Sequence, residues 1–498
     1  MSSSASYSPL SVYGSSLALL TDLYQLTMAQ AYWANQLTEV ESVFHLFFRR
    51  MPFYGGFTVA AGLESVIEWV KRFEVTADDI AYLRQLKNPA GKDLFEEGFL
   101  HYLKNLRFTG NIDAVPEGTV VFPQQPLIRV QAPLIQAQLF ETALLNLINF
   151  PTLIATKAAR MLLAAQGEEI LEFGVRRAQG IDGGLTASRA AYLGGCSATS
   201  NVLAGKLLDI PVRGTHAHSW VMAFDDELAS FEAYAKAMPD NSLFLVDTYN
   251  TLKGVEHAIE VAKRIKANGH EFLGIRLDSG DLAYLSIQSR TLLDEAGFKD
   301  AVIVASNELD EILISELKRQ GAKINVWGIG THLVTGGSQP ALDGVYKLSA
   351  LRNKQGEWED KIKLSEQPIK VTTPGILQVR RYKKGEENVA DCIYDMRDPP
   401  KDNCTIIDQH DPTKPILAKA DWSYADLLIP VYRNGKCVYA SPALKEMRET
   451  TLKNLEGFAV GIKRFFNPHI YSSGLESSLY YKKLGLIKRI REQISSGV

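Results

Sequence analysis

Residues 243–285, "LFLVDTYNTLKGVEHAIEVAKRIKANGHEFLGIRLDSGDLAYL", decide how the chain is read. An apolar run ends in Asp247, a segment with apolar residues at helical spacing follows, and a second apolar run ends in "RLDSGD". This is one strand–helix–strand unit with polar groups at the C-terminal end of each strand. The pattern continues in "AVIVASNE" (301–308) and "INVWGIGT" (324–331), with the helical segments "LAYLSIQSRTLLDEAG" and "ELDEILISELKRQG" between them. These four strands begin roughly 23 to 30 residues apart, the length of a βα unit, so they are parallel with helical crossovers. An open doubly wound sheet binds its ligand at one switch point, using two or three strands. Here all four strand ends are polar: Asp247-Thr248-Tyr249-Asn250, Arg276 to Asp281, Ser306-Asn307-Glu308 and Ile329-Gly330-Thr331. A (β/α) barrel draws on several strand ends in this way, and the barrel is the reading favoured.

Working outward, "EILEF" (169–173) and "IPVRG" (210–214) supply earlier strands of the same unit. Upstream, "LALLTDLYQLTMAQAYW" (17–33) is helical, "ESVFHLFFRRMPF" (41–53) alternates as a strand, and 111–133 reads as short strands broken by Pro and Gly. Beyond about 350 the chain turns to short strands and a closing helix. The expected class is therefore α/β: an irregular (β/α) barrel over 151–350, an N-terminal α+β domain over 17–150, and a smaller β-rich C-terminal domain over 351–498 packing on the N-terminal one. Residues 1–16, "MSSSASYSPLSVYGSS", are polar and Ser-rich without a basic n-region, and read as a flexible leader.

Composition narrows the function classes. The net charge of −3 leaves no basic footprint for nucleic acid or an anionic membrane. No apolar run looks long enough to span a bilayer. Cys196, Cys392, Cys404 and Cys437 are scattered, with no CxxC pair and no zinc spacing. That argues for a reducing compartment, and a cytoplasmic location is expected. No P-loop, no GxGxxG between a strand and a helix and no GxSxG elbow occurs.

The segment "PVRGTHAHSWVMAFDDELASF" (211–231) carries two histidines one residue apart. Thr215 stands where an N-cap belongs, and Trp220, Phe224, Leu228 and Phe231 recur at helical spacing. Both histidines then fall in the first turn of one helix, about 200° apart around its axis, and cannot chelate one metal. His216 lies nearer the apolar stripe, and His218 points away from it. The positive end of the helix dipole keeps a first-turn imidazole neutral and favours an anion formed on it. In "RLDSGDL" (276–282), Arg276 suits bidentate recognition of phosphate or carboxylate, and paired aspartates can hold Mg²⁺ or a ribose diol. Asp278 lies inside the turn, whereas Asp281 also fits a simple helix cap. "GIGTHLVTGGS" (328–338) offers unobstructed backbone amides for phosphate, and "EFGVRRAQG" (172–180) places Phe173, Arg176 and Arg177 at an earlier strand end.

The ordered set "TDLYQLTMA", "EFGVRRAQG", "RGTHAHSW", "DTYNT", "IRLDSGDL", "SNELDE", "GIGT", "GVYKL" and "NPHIY" resembles the nicotinate phosphoribosyltransferase family over nearly the whole chain. The resemblance implies that nicotinate is joined to phosphoribosyl pyrophosphate, giving nicotinate mononucleotide and pyrophosphate for NAD biosynthesis. It further implies that ATP hydrolysis drives the reaction through a phosphohistidine at His218, with His216 in support. Asp247 and Asp278 would sit near ribose and Mg²⁺, with Asp281 a further Mg²⁺ ligand. Arg276 would bind the nucleotide's acid or phosphate, and Gly330 and Thr331 the 5′-phosphate. Phe173 and Tyr24 would sandwich the pyridine ring, Tyr24 reaching in from the partner of a homodimer, while Arg177 and Thr215 would place the carboxylate. The sister family acting on nicotinamide is the alternative. Its pocket carries an acidic residue in a segment containing "DFGYRG", and the positive charge of "EFGVRRAQG" favours the acid substrate.

Overall fold

The computed structural model describes residues 10, 13–14, 16–401, 403–409 and 411–496. Most of the leader expected over 1–16 lies outside the described residues. The chain divides into two compact units, one of residues 154–340 and one of 1–153 with 341–498.

The first of these holds six strands: β1 (Glu169–Glu172), β2 (Ala198–Thr199), β3 (Leu243–Leu245), β4 (Gly274–Leu277), β5 (Val302–Ala305) and β6 (Val326–Ile329). Their order in the sheet is β2-β1-β6-β5-β4-β3, and every pair is parallel. Beyond β2 comes one further parallel bridge, Thr199 to Val212. Followed around, the strands keep chain order from β1 to β6 and return to β1. A doubly wound sheet would reverse its order at a switch point, so this is barrel order. Besides the short helix Val202–Leu208, the helices of this unit include α1 (Gly180–Leu193), α2 (His218–Met222), α3 (Glu227–Ala237), α4 (Thr251–Ala267), α5 (Leu282–Glu295), α6 (Glu311–Arg319) and the short α7 (Thr331–Val334). The seating of α4 on β3 is close: a Cβ on Gly254 would lie 2.1 Å from the Val246 carbonyl oxygen, so glycine is required there.

One seam interrupts the ring, between the Val212 segment and β3. There the backbone N–H of Leu245 donates to His216 Nε2 at 3.3 Å, so an imidazole stands where a strand carbonyl would be. His216 is buried, its ring centroid 5.1 Å from Tyr234 and 6.2 Å from Phe244. Accepting at Nε2 assigns the proton to Nδ1, which faces the Ala217 carbonyl at 3.5 Å.

The helix after this seam differs from the expected one. α2 begins at His218 with Ala217 as its N-cap residue, and Thr215 caps nothing; its hydroxyl donates to the His216 carbonyl. The stripe Trp220–Phe231 is also split, because Asp226 starts a new helix by accepting from the Ala229 amide at 2.7 Å. A short carboxylate is worth more at a cap than in a helix interior.

The other unit is built on a seven-stranded sheet in the order 358–360, 344–352, 41–48, 128–133, 111–114, 429–433 and 436–437. Residues 41–48 pair antiparallel with 344–352 on one side and with 128–133 on the other, so chain segments from before and after residues 154–340 share one sheet. Phe44 and Tyr346 stack across it with ring centroids 5.0 Å apart. A six-stranded sheet of residues 377–476 belongs to the same unit. The helical run Leu134–Ala165 corrects the expectation about apolar runs. It has the length and apolarity of a membrane span, with mean hydropathy 1.3, but 67% of that window is buried, as in a core helix. All four cysteines are free thiols, three of them buried.

Burial pushes the His216 imidazole down to about 4. A lowered folded value means stability that is full above the unfolded value of about 6.5 and is lost as pH falls toward 4. Urea unfolding between pH 7 and pH 4 should therefore show a loss of roughly 3 kcal/mol in the wild type that is missing from His216→Gln. At pH 7 that variant should already be about 1–3 kcal/mol less stable, because the Gln side chain must supply the acceptor for the Leu245 amide from a flexible chain and loses the ring contacts with Tyr234 and Phe244.

Candidate active site

The C-terminal ends of β3, β4 and β5 bring together His218, Asp247, Thr248, Arg276, Asp278 and Ser306. His218, in the first turn of α2, has Nδ1 at 3.1 Å from Thr248 Oγ1. Its Nε2 lies 3.8 Å from Asp278 Oδ2, and the side chain is 40% exposed. One ring nitrogen is thus held by a hydroxyl and the other faces the space above the strand ends.

Two aspartates lie beneath it. Asp247 Oδ2 accepts from the Asp278 amide at 2.9 Å and from Ser279 Oγ at 2.6 Å, while its Oδ1 is buried without a hydrogen-bond partner. Asp278 Oδ1 accepts from Arg276 Nη2 at 2.8 Å and from Ser306 Oγ in a short bond. Burial by itself would raise the Asp278 carboxyl, but the Ser306 hydroxyl, the Arg276 guanidinium and His218 outweigh it and hold the group below its ordinary value. Asp278 is thus a carboxylate throughout the neutral range. Asp281 takes the cap position also considered for it: it is exposed and accepts from the Tyr284 amide at 3.0 Å at the start of α5.

Arg276 joins this cluster to the ring of Phe173. Its Nε donates to Ser306 Oγ at 2.8 Å, its Nη1 to Thr215 Oγ1 at 3.3 Å, and its guanidinium carbon lies 5.6 Å from the Phe173 ring centroid. Phe173 lies close over β6: a Cβ on Gly328 would come within 2.8 Å of the ring, so glycine there makes room for it. Gly330 precedes the short helix α7, and Thr331 Oγ1 donates to Glu308 at 3.1 Å. Asn307, between them and β5, has φ of 124°, a conformation costly for any residue but glycine and often found at functional sites. Arg177 is exposed at the end of β1. Tyr24 belongs to the other unit, on the helix Leu23–Ala34, 49% exposed.

Glu172 is turned the other way. It is fully buried and accepts from the Gly174 amide, from Ser188 Oγ at 2.8 Å and from Thr199 Oγ1 at 2.5 Å. Those donors hold the carboxylate inward with no exposed surface, out of reach of an amide N–H from a pyridine substrate. Thr248 and Ser306 appear in the sequence only as members of polar strand-end runs, with no task of their own. Each sits immediately at a strand end, and that position was the available signal.

Replacing Ser306 by Ala removes one of the donors that keep Asp278 low. The acid limb of a pH–rate profile should move to higher pH in Ser306→Ala, since the Asp278 carboxyl rises toward its ordinary value. The stability that Asp278 contributes above its unfolded value should fall correspondingly, by about 1–3 kcal/mol in chemical denaturation.

Comparison with known proteins gives the family. Family models described as the nicotinate phosphoribosyltransferase N-terminal domain, the nicotinate phosphoribosyltransferase family and the nicotinate phosphoribosyltransferase C-terminal domain match residues 19–149, 169–374 and 378–483. A Bacillus subtilis nicotinate phosphoribosyltransferase is 43% identical over 96% of this chain and 97% of its own. One from Dictyostelium discoideum is 38% identical over 93% of this chain and 87% of its own. The crystal structure of human nicotinic acid phosphoribosyltransferase superposes with a TM-score of 0.80 at 31% identity, covering 94% of this chain and 99% of that one. The chain belongs to the nicotinate phosphoribosyltransferase family.

Proposed function

We propose that the chain joins nicotinate to phosphoribosyl pyrophosphate in NAD biosynthesis, coupled to ATP hydrolysis through a phosphate carried on His218. The observation that carries this reading is the paired state of His218. Thr248 Oγ1 lies 3.1 Å from Nδ1, and the tautomer that donates Nδ1–H to this hydroxyl carries its lone pair at Nε2, on a part-exposed ring in the first turn of α2. Attack of Nε2 on the γ-phosphorus of ATP forms the N–P bond and releases ADP. Asp278 beside Nε2 then holds the ring in place and balances imidazolium charge as the phosphate leaves again.

In the transfer step the ribose passes through an oxocarbenium-like state while pyrophosphate departs. The carboxylates Asp247 and Asp278 favour the positive charge on the ribose. The unpartnered Asp247 Oδ1 and the adjacent Asp278 fit Mg²⁺, which would neutralise charge on the leaving pyrophosphate. Asp281 already spends Oδ1 on its helix cap. Phe173 gives the pyridine ring a face to stack on. Arg276, Thr215 and Arg177 supply donors for the carboxylate, and Gly330 and Thr331 for the 5′-phosphate. The inward, buried state of Glu172 favours nicotinate over nicotinamide. Tyr24 completes the ring sandwich from the partner in a homodimer. The free, largely buried thiols accord with a reducing cytoplasm.

Incubation with γ-labelled ATP should leave acid-labile phosphate on the wild type and none on His218→Ala. His216→Gln should still label in its folded fraction, and kcat/KM should favour nicotinate over nicotinamide. Full labelling of His218→Ala would remove the phosphohistidine from the reading. A shared site makes a second expectation. Tyr24→Ala and His218→Ala, each impaired alone, should recover about a quarter of wild-type activity after subunit exchange, because half the dimers then hold one intact site. No recovery from a mixture shown to have exchanged would confine the site to one chain.

A further inference from the structure

A buried acid–imidazole pair lies outside the residues used so far. Glu227, the first residue of α3, is 6% exposed, and its Oε2 is 2.9 Å from His257 Nδ1 on α4. Its other oxygen, Oε1, is buried with no hydrogen-bond partner. A carboxylate kept dry in this way is expensive, and apolar side chains of similar volume commonly do as well or better for stability. Its retention therefore calls for a reason other than packing.

The surrounding contacts supply one, because α3 packs against both α2 and α4. On the α2 side, Trp220 Nε1 donates to the Ser230 carbonyl of α3 at 3.1 Å, two residues from His218. On the α4 side stands the Glu227–His257 pair. The third side is closed by Thr248, three residues before α4, on His218 Nδ1. The three side-chain bonds form a closed loop: His218 and Trp220 to α3, Glu227 to His257 and α4, then Thr248 back to His218. α2 has only five residues and is too short to hold a side chain steady by itself. The loop gives it a second anchor.

We propose that Glu227 and His257 are positioning residues that, through α3, hold the His218 ring against Thr248 in the orientation that takes up phosphate. The proposal rests on the phosphohistidine reading above. It concerns the rate at which His218 is phosphorylated, not the capacity of the site to bind ATP. Two titratable groups face Glu227, His257 from α4 and Asp247 from the end of β3, and burial first, then Asp247, raise its carboxyl against the opposing pull of His257. The sign follows. A raised folded value is a stabilising contribution present below the unfolded value of Glu and lost as pH rises, so near neutrality the charged carboxylate burdens the fold.

The experiment is the rate of labelling from γ-labelled ATP in the full-length protein, with Glu227→Gln and His257→Gln alone and together. Glu227→Gln should label about ten-fold more slowly, reach the wild-type amount of label, and keep KM for ATP within about two-fold. Its thermal midpoint at pH 7 should be no lower than that of the wild type. The double variant should be no slower than the slower single one, as for two residues acting as a unit. Wild-type labelling rates in both single variants would overturn the proposal. So would a rate loss that tracks a fall in thermal midpoint, or losses that multiply in the double variant. His257 is 24% exposed, so His257→Gln remains informative if Glu227→Gln does not fold. His218→Ala in parallel separates the two ideas. Label on that variant removes the phosphohistidine reading itself, whereas no label there together with normal rates at Glu227 and His257 removes only the positioning role.

Discussion

A single bond from a backbone amide to an imidazole, Leu245 N–H to His216 Nε2, completes the central barrel. Every other junction in the ring is strand on strand, or the bridge at Val212. At this one the chain leaves the sheet after Arg213 and a side chain takes the acceptor role. The substitution has a geometric result. Because residues 214–217 are not a strand, they can turn outward at once, and α2 begins two residues after the histidine that pins the seam. His218 is thereby set at the mouth of the barrel, within reach of both β3 and β4. The other unit uses the same device, where buried His45 Nε2 accepts the Leu377 amide at 3.2 Å and burial pushes that ring down to about 3. Both rings must stay neutral to accept, and both are buried enough to do so.

Around the barrel mouth, charge is arranged by who holds whom. Arg276 spends donors on Asp278, Ser306 and Thr215, so its guanidinium is fixed in plane beside Phe173. Asp278 is held low by Ser306, Arg276 and His218, whereas Asp247 keeps one oxygen unspent. Glu172 faces α1 and β2, where the Ser188 and Thr199 hydroxyls and the Gly174 amide donate to it. One rigid cation, one carboxylate tied down through a single oxygen and one carboxylate with an unpartnered buried oxygen make an asymmetric site, suited to handling an anion at one end and a developing cation at the other.

Much of this was legible in the sequence. The βα period gave the parallel strands, and the polar residues after "LFLV", "LGI" and "VIVA" gave the site, because alternation and strand ends are local patterns. The asymmetry of His216 and His218 was legible too, but for a reason that changed. The reading put both in one helix; the structure puts His216 in the seam and only His218 in the helix. Whether Thr215 or Ala217 precedes the first turn depends on where His216 finds its partner, 29 residues later in the chain, and no local propensity carries that. The split after Met222 was available in Asp225-Asp226, a capping signal overridden by the apolar spacing. The Glu227–His257 pair, 30 residues apart on different helices, left no pattern at all.

The unit that contains both chain ends has a consequence for synthesis. The strand 41–48 is flanked by 128–133 and by 344–352, and the second of these is made about 300 residues later. At ribosomal speeds of about 5–20 residues per second, the early strand waits about 15–60 s with one edge unpaired. Meanwhile residues 154–340 emerge as a continuous unit and can close their own barrel. The nascent chain thus completes its inner segment before its outer one, and the apolar strand "ESVFHLFF" is the part that needs shelter in the interval.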